Sequence, residues 1–130
     1  MQISEIFCNF AAENEIEGMT IYFQDKKLEK YANDERLCIR KLGAKRAELY
    51  YDRLYQMQNA ETLEDTRHLP GHYHDLVEDR KGQWSCDLDQ PYRLIFEPTE
   101  SPIPINESGG YDWKAIKIID IVEIVNYHGK

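Results

Sequence analysis

The chain has few cysteines and no long apolar run, and each shortage excludes a class of protein. Its three cysteines form an odd number without metal-type spacing, so neither a disulfide framework nor a zinc motif is indicated. No apolar stretch approaches the roughly 18 to 20 residues that cross a bilayer, and the amino terminus lacks the cationic start and apolar run of a signal peptide. We therefore expect a soluble protein of the reducing cytoplasm, without a membrane partner.

Positive charge is also scarce. The sequence contains 16 lysine and arginine residues against 24 aspartates and glutamates, which gives a formal net charge of -8. Broad binding to nucleic acid needs a basic face that displaces counterions from phosphates, and this composition opposes it. A small basic pocket can persist on an acidic protein, however, and an acidic surface suits a basic partner. On charge alone, binding to nucleic acid at a small site and binding to a basic protein both stay open.

What is present fits one domain with a real core. The 130 residues, 42% of them hydrophobic, are too few for two domains of ordinary size, so we expect a single domain over residues 1–130. Apolar residues recur with helical spacing at 25–33 and more strongly at 44–58. A short acidic stretch at 62–65 has the capping pattern of a brief helix.

The second half of the chain changes to the period of a strand. Apolar and polar residues alternate on both sides of a tight connection at 89–91, which predicts a hairpin, and the final run is apolar on both faces, as in an interior strand. Residues 9–20 and 98–110 are predicted to be loops, the first of them a polar, acidic insertion. The predicted strands are 3–8, 83–88, 92–97 and 116–125. Helices followed by strands indicate an α+β fold, with two or three N-terminal helices packed on one face of a mostly antiparallel sheet of four to five strands.

Groups suited to acid/base and phosphate chemistry are set into the predicted sheet. His72 and His74 precede the hairpin, and Tyr127 and His128 follow the last strand directly. Histidine is the usual acid/base group because its unperturbed pKa, about 6.5, lies close to working pH. If the sheet brings the two segments together, one site holds the parts needed to cleave RNA through its 2′-hydroxyl. The ordinary alternatives are a solvent-facing strand histidine and an aromatic residue that closes the sheet edge.

Two arginines are candidate phosphate ligands, because a guanidinium is a permanently charged fork that matches two phosphate oxygens. Arg93 lies inside an otherwise apolar strand, and its alternative role is an ion pair with Asp87 or Glu97 across the hairpin. Arg80 and Lys81 lie in a predicted turn, where solvated charge is the usual explanation.

The histidines also raise the question of a metal site. His68, His72 and His74 are close in sequence, but zinc generally needs three or four convergent ligands, and no cysteine is present in this segment to complete the set. We therefore expect no metal and no other cofactor.

The strings LPG, DRKGQWS, PYRLIFEP and IVNYH, together with LGAKRAELYYDRL, resemble the HigB branch of the RelE/ParE toxin superfamily, whose members include plasmid maintenance killer proteins. The resemblance implies the toxin of a type II toxin–antitoxin system, an mRNA interferase that cleaves messenger RNA in the ribosomal A site without metal and leaves a 2′,3′-cyclic phosphate. It also implies a helix-turn-helix antitoxin, HigA-like, through which the pair binds operator DNA. The catalytic residues implied are His74, Arg80, Arg93, Tyr127 and His128, with Lys81 and Gln83 as RNA-binding residues.

The chain departs from the family pattern where the chemistry should reside. Common members read HELKGDRKGQ or HPLKGDRKGQ, whereas here Val77 replaces the lysine and Glu78 the following glycine, and the terminal DYH appears with Asn126 first. Two other functions therefore stay open beside the ribonuclease. One is a ParE-like inhibitor of DNA gyrase, which the histidines and the YH end oppose. The other is a degenerate, non-catalytic module that binds the antitoxin.

Overall fold

The structure, a computed structural model, describes residues 18–126 and contains a five-stranded sheet. The strands lie in the order β1-β5-β4-β3-β2, with β1 parallel to β5 and every other pair antiparallel. Their bounds are Thr20–Phe23 (β1), His74–Asp75 (β2), Trp84–Asp87 (β3), Tyr92–Pro98 (β4) and Ile118–Asn126 (β5). The predicted hairpin is β3 and β4, and the prediction that the last strand is interior is confirmed, because β5 lies between β1 and β4.

Three helices precede most of the sheet in the chain, and aspartates begin two of them. They are Lys26–Asn33 (α1), Glu35–Leu42 (α2) and Ala44–Asn59 (α3). The Asp25 carboxylate accepts hydrogen bonds from the free backbone N–H groups of the first turn of α1, and Asp34 does the same for α2. Gly43 ends α2 with a φ of 90°, a conformation that side chains disfavour. The predictions for α1 and α3 are confirmed, and together with the sheet they confirm the α+β class.

The helices cover one face of the sheet. Strand residues on that face are fully buried against α3, and they include Trp84, Cys86, Leu94, Phe96, Ile119 and Ile121. The Tyr50 hydroxyl donates to the Leu28 carbonyl at 2.7 Å, which ties α3 to α1 inside the core. Trp84 is among the largest fully buried side chains of this core. Tyr55, in contrast, is 58% exposed on α3.

Several short elements differ from the sequence prediction. The helix α2 was not predicted, because Cys38 is its one buried residue and eight residues carry little periodicity. The edge strand β1 was not predicted either, and Thr20, its first residue, falls inside the segment predicted to be a loop. The brief helix is a 3-10 turn shifted to Glu64–His68. The predicted strand at 3–8 and the acidic segment up to residue 17 lie outside the described residues. In the described part of the chain, no helix is long and apolar enough to cross a membrane.

Candidate functional site

Polar side chains cover the face of the sheet opposite the helices. Because side chains alternate along a strand, the neighbours of buried Trp84 and Cys86 point to this second face. The strand register aligns His74, Ser85, Ile95 and Glu123 in one row and Asp87, Arg93 and Val125 in the next. We call this surface the open face. Ser85 and Ile95 are nevertheless 1% and 0% exposed, so the surrounding side chains close over them.

His74 is held in one orientation on the open face. Its Nδ1 lies 2.9 Å from the backbone carbonyl oxygen of His72, and its ring stacks 4.4 Å from the His72 ring. A carbonyl oxygen only accepts hydrogen bonds, so Nδ1 carries the proton and Nε2 of the neutral ring keeps its lone pair. Nε2 lies 3.5 Å from the Ser85 hydroxyl oxygen. This geometry suits a general base whose accepting atom is Nε2.

Arg80 reaches from the 3-10 turn Glu78–Arg80 across the open face to β5. Its guanidinium donates to the Glu123 carboxylate at 2.6 Å and to the Gln83 amide oxygen at 2.8 Å. The Gln83 amide nitrogen in turn donates to Glu97 at 2.9 Å. The chain of hydrogen bonds therefore holds Arg80 and Gln83, two of the predicted site residues, against carboxylates.

Arg93 also faces a carboxylate. Its Nε lies 3.1 Å from Oδ1 of Asp87, the residue opposite it in the hairpin, and both side chains are about one quarter exposed. The second Asp87 oxygen lies 3.9 Å from Nδ1 of His72. The ion pair that was the alternative role for Arg93 is thus present, and it sits beside the histidine pair.

The remaining predicted residues divide into two groups. Lys81 is exposed at the rim of the open face, beside Gly82. Tyr127 and His128 lie outside the described residues. The last described residue, Asn126, pairs with Tyr92, so β5 ends next to the row that contains Arg93.

Metal and thiol chemistry find no support in the described residues. Within residues 18–126, no group of three or more histidine, cysteine, aspartate or glutamate side chains could hold a metal ion. Burial raises the pKa of the Cys38 thiol to about 11 and that of the Cys86 thiol further still. A thiol attacks as the thiolate, so neither of these two cysteines is a nucleophile at neutral pH.

Glu78 occupies a left-handed backbone conformation, with φ of 57°. This is the position where the resemblance places a glycine, the residue that adopts such a conformation without steric cost. Arg80 follows Glu78 by two residues in this turn. The conformation of the turn therefore determines where the Arg80 side chain begins to cross the sheet.

We expect Glu78→Gly to leave the free energy of unfolding unchanged or to raise it by up to about 1 kcal/mol, because relief of strain offsets the added freedom of the unfolded chain. Glu78→Val is expected to lower it by roughly 1 to 2 kcal/mol, since a branched side chain fits this conformation worst. The measurement is the urea midpoint. Asp79→Gly, one residue along at negative φ, is the matched control and should destabilise by about 0.5 to 1 kcal/mol. If Glu78→Gly and Asp79→Gly lowered the free energy of unfolding by the same amount, the assignment of backbone strain to Glu78 would be wrong.

Glu123 is the carboxylate that sequence reasoning missed. The sequence predicts Asp87 and Glu97 as alternative partners of Arg93, but it gives no such indication for Glu123. It lies 43 positions after Arg80, in a strand whose pattern indicates burial and nothing about partners. A period-2 count from Trp84 and Phe96 would have placed Ser85 and Glu97 on the same face as Arg93, and this is the one signal that the sequence offers.

Comparison with known proteins identifies the family to which the chain is similar. The family model described as the RelE-like toxin of the type II toxin-antitoxin system HigB matches residues 21–106, which is more than half of the chain. The match includes His74, Arg80, Gln83 and Arg93 and ends before β5. Searches among curated proteins and among solved structures gave no match.

Proposed function

The chain belongs to the HigB-like family of RelE-like toxins of type II toxin–antitoxin systems, and from this premise we propose that it cleaves messenger RNA in the ribosomal A site without a metal ion. Membership of a type II system implies an antitoxin as partner. We propose further that this antitoxin is a helix-turn-helix protein and that it brings the toxin to operator DNA.

One observation carries the proposal: His74, Arg80 and Arg93 lie on a single face of the sheet that no long helix of the described chain occupies. Nε2 of His74 accepts the proton of the ribose 2′-hydroxyl, and the 2′-oxygen attacks the adjacent phosphorus. The bond from phosphorus to the 5′-oxygen breaks, and an acid protonates that oxygen, a role we assign to His128. The products are a 2′,3′-cyclic phosphate and a 5′-hydroxyl end.

The two arginines stabilise the charge that builds on the phosphate oxygens during attack. Each must first exchange a carboxylate for the phosphate. The Arg80–Glu123 pair is 33% and 42% exposed at its two side chains, and such exposed pairs contribute at most about 1 kcal/mol. A phosphodiester carries the same single negative charge as a carboxylate and also accepts two parallel hydrogen bonds from a guanidinium, so it can displace Glu123 at small cost.

The test is incubation of the full chain with ribosomes programmed with defined codons in the A site, followed by primer extension and analysis of the new ends. We expect a cut within the A-site codon and a cyclic phosphate on the upstream fragment. We also expect undiminished cleavage when EDTA is added after ribosome programming to remove transition metals, with the free Mg²⁺ concentration held constant so that the ribosomes stay intact. The absence of any A-site cut by the wild type, or full cleavage by His128→Ala, would overturn the proposal.

The second candidate is a non-catalytic module retained for its complex with the antitoxin. Its support is electrostatic, because both arginines face carboxylates and the exposed Val77 stands where the family pattern has a lysine. This candidate predicts harmless expression without the antitoxin, no cut on programmed ribosomes and a stable antitoxin complex. The ribosome assay thus separates the two functions.

Removal of the Glu123 charge should strengthen RNA binding. We expect Glu123→Gln to bind a fluorescein-labelled single-stranded RNA about two- to fivefold more tightly, because an ion pair worth up to roughly 1 kcal/mol no longer competes with phosphate. The readout is fluorescence anisotropy at two salt concentrations.

Glu48→Gln is the matched control for this change. Glu48 is an exposed carboxylate on α3, and its substitution changes the net charge by the same amount away from the open face. The control should bind within experimental error of the wild type. Equal gains in the two variants would assign the effect to overall charge rather than to Arg80.

A further inference from the structure

The connection between β4 and β5 has a fixed conformation that places an aromatic ring beside Arg80. Ile105 and Tyr111 form an isolated antiparallel bridge. The Asn106 carboxamide oxygen accepts hydrogen bonds from the backbone N–H groups of Ser108 and Gly110, at 2.9 and 3.1 Å. These contacts close the tip of the loop and fix the backbone position of Tyr111.

The Tyr111 ring is connected to the core through Trp113. It stands edge-to-face with Trp113 at 5.5 Å between ring centroids, and Trp113 stands edge-to-face with the fully buried Trp84 at 5.3 Å. On another side, Gly82 lies so close that a Cβ atom there would be 3.6 Å from Cε2 of Tyr111. The ring is still 37% exposed. An aromatic side chain that is held on two sides and exposed on the rest is a preorganised stacking surface.

Tyr111 forms the wall of a pocket that adjoins the proposed phosphate ligand. The pocket has a volume of about 640 Å³, and its other walls include Arg80, Lys81, Gln83 and Ile103. Lys81 is exposed to solvent. Asp79 and Glu97 also line the pocket, so acidic residues that can accept hydrogen bonds accompany the two basic ones.

We propose that this pocket is a nucleobase subsite, in which the base next to the scissile phosphate stacks on Tyr111 while Arg80 binds the phosphate. The inference rests on the proposed ribonuclease function and names the part of the RNA that this side of the site takes. A flat base fits the space beside the ring, and stacking on an aromatic face is the main way in which proteins hold unpaired bases. The pocket acceptors match the amino groups of bases, and Lys81 matches the next phosphate.

The charges around the pocket favour a nucleotide over an apolar peptide. Arg80 and Lys81 line the same pocket as Tyr111, and this combination suits a ligand that alternates anion and flat base. When a phosphate takes the guanidinium of Arg80, the amide oxygen of Gln83 loses its donor and becomes available to the base.

The test is an abasic scan combined with variants of Tyr111. Short single-stranded RNAs, each with one abasic nucleotide at a different position, are titrated into the full chain, and the same positions are placed in the A-site codon of programmed ribosomes. For the wild type we expect one abasic position to weaken binding about five- to 100-fold, the usual worth of one base–aromatic stack. In Tyr111→Leu that position should cost less than twofold, while Tyr111→Phe should behave as the wild type.

The controls separate the subsite from the fold and from the activity. Leucine retains the apolar contact with Trp113, and unchanged thermal unfolding of Tyr111→Leu shows that the loop persists. Ile105→Ala removes an apolar side chain that is 62% exposed on the same loop, and it should leave the abasic profile unchanged. Cleavage by the wild type with an abasic profile identical in Tyr111→Leu would overturn the subsite alone. An intact abasic effect on free RNA without any ribosomal cut would overturn the ribonuclease function and leave the base contact standing.

Discussion

His74→Ala should cleave A-site messenger RNA about 10² to 10⁴ times more slowly than the wild type, the usual effect of removing a general base. The physical reason is the fixed ring. Nδ1 is committed to the His72 carbonyl at 2.9 Å, and Nε2 is the ring atom left to accept the proton of the 2′-hydroxyl. In the alanine variant, water must accept that proton instead. The measurement is single-turnover cleavage on programmed ribosomes, because it separates the chemical step from ribosome binding, which the substitution should leave unchanged.

His68→Ala is the matched control for this prediction. His68 is exposed and ends the 3-10 turn whose Arg67 guanidinium lies 4.4 Å above the Trp84 ring, on the helix-covered side of the sheet. Its substitution should change the rate by less than twofold. If His74→Ala and His68→Ala cleave equally fast, the base is another group, and the neighbouring His72 becomes the first to test.

The largest loss of stability is expected from Trp84→Ala. The side chain is fully buried, packs against Phe96 and Trp113, and lies below Arg67. Deletion of a buried tryptophan typically costs about 3 to 5 kcal/mol through lost burial and the cavity that remains. Since domains of this size are stable by roughly 5 to 15 kcal/mol, the urea midpoint should fall by about a fifth or more.

Tyr55→Ala provides the control for that loss, because it removes a similar aromatic side chain that is 58% exposed on α3. It should change the free energy of unfolding by no more than about 0.5 kcal/mol. If Tyr55→Ala lowered the free energy of unfolding as much as Trp84→Ala, burial would not be the reason for the loss at Trp84.

Local pattern predicted the elements that are long or regularly spaced. The stripe along α3 and the alternation in β3 and β4 both report burial on one side, so their types and faces could be assigned from residues alone. Short elements carry too few repeats for such an assignment. The edge strand β1 has four residues, and its partner β5 comes almost 100 positions later, so nothing local announces the pairing.

The candidate site shows the same division. His74, Arg80 and Arg93 could be proposed from residue type and family resemblance, because the chemistry of a side chain and its place in a motif are both written in the sequence. That His74 and Arg93 share one face follows from strand register, which joins residues from four strands, and the bond to Glu123 brings Arg80 onto the same face. The electrostatic state of the two arginines depends on Glu123 and Asp87, and the proposed base pocket depends on a loop that closes back on Gly82.

The sequence by itself determined the lineage, the α+β class and the identity of the groups able to do chemistry, since these depend on motifs and on periodicity within one element. Only the tertiary structure decided which partner each group has. Arg80 meets Glu123, Arg93 meets Asp87, and Tyr111 meets Trp113 and Gly82. Such contacts act over only a few ångströms, and the Arg80–Glu123 and Tyr111–Gly82 contacts join residues far apart in the chain, so they depend on how the strands and loops are brought together.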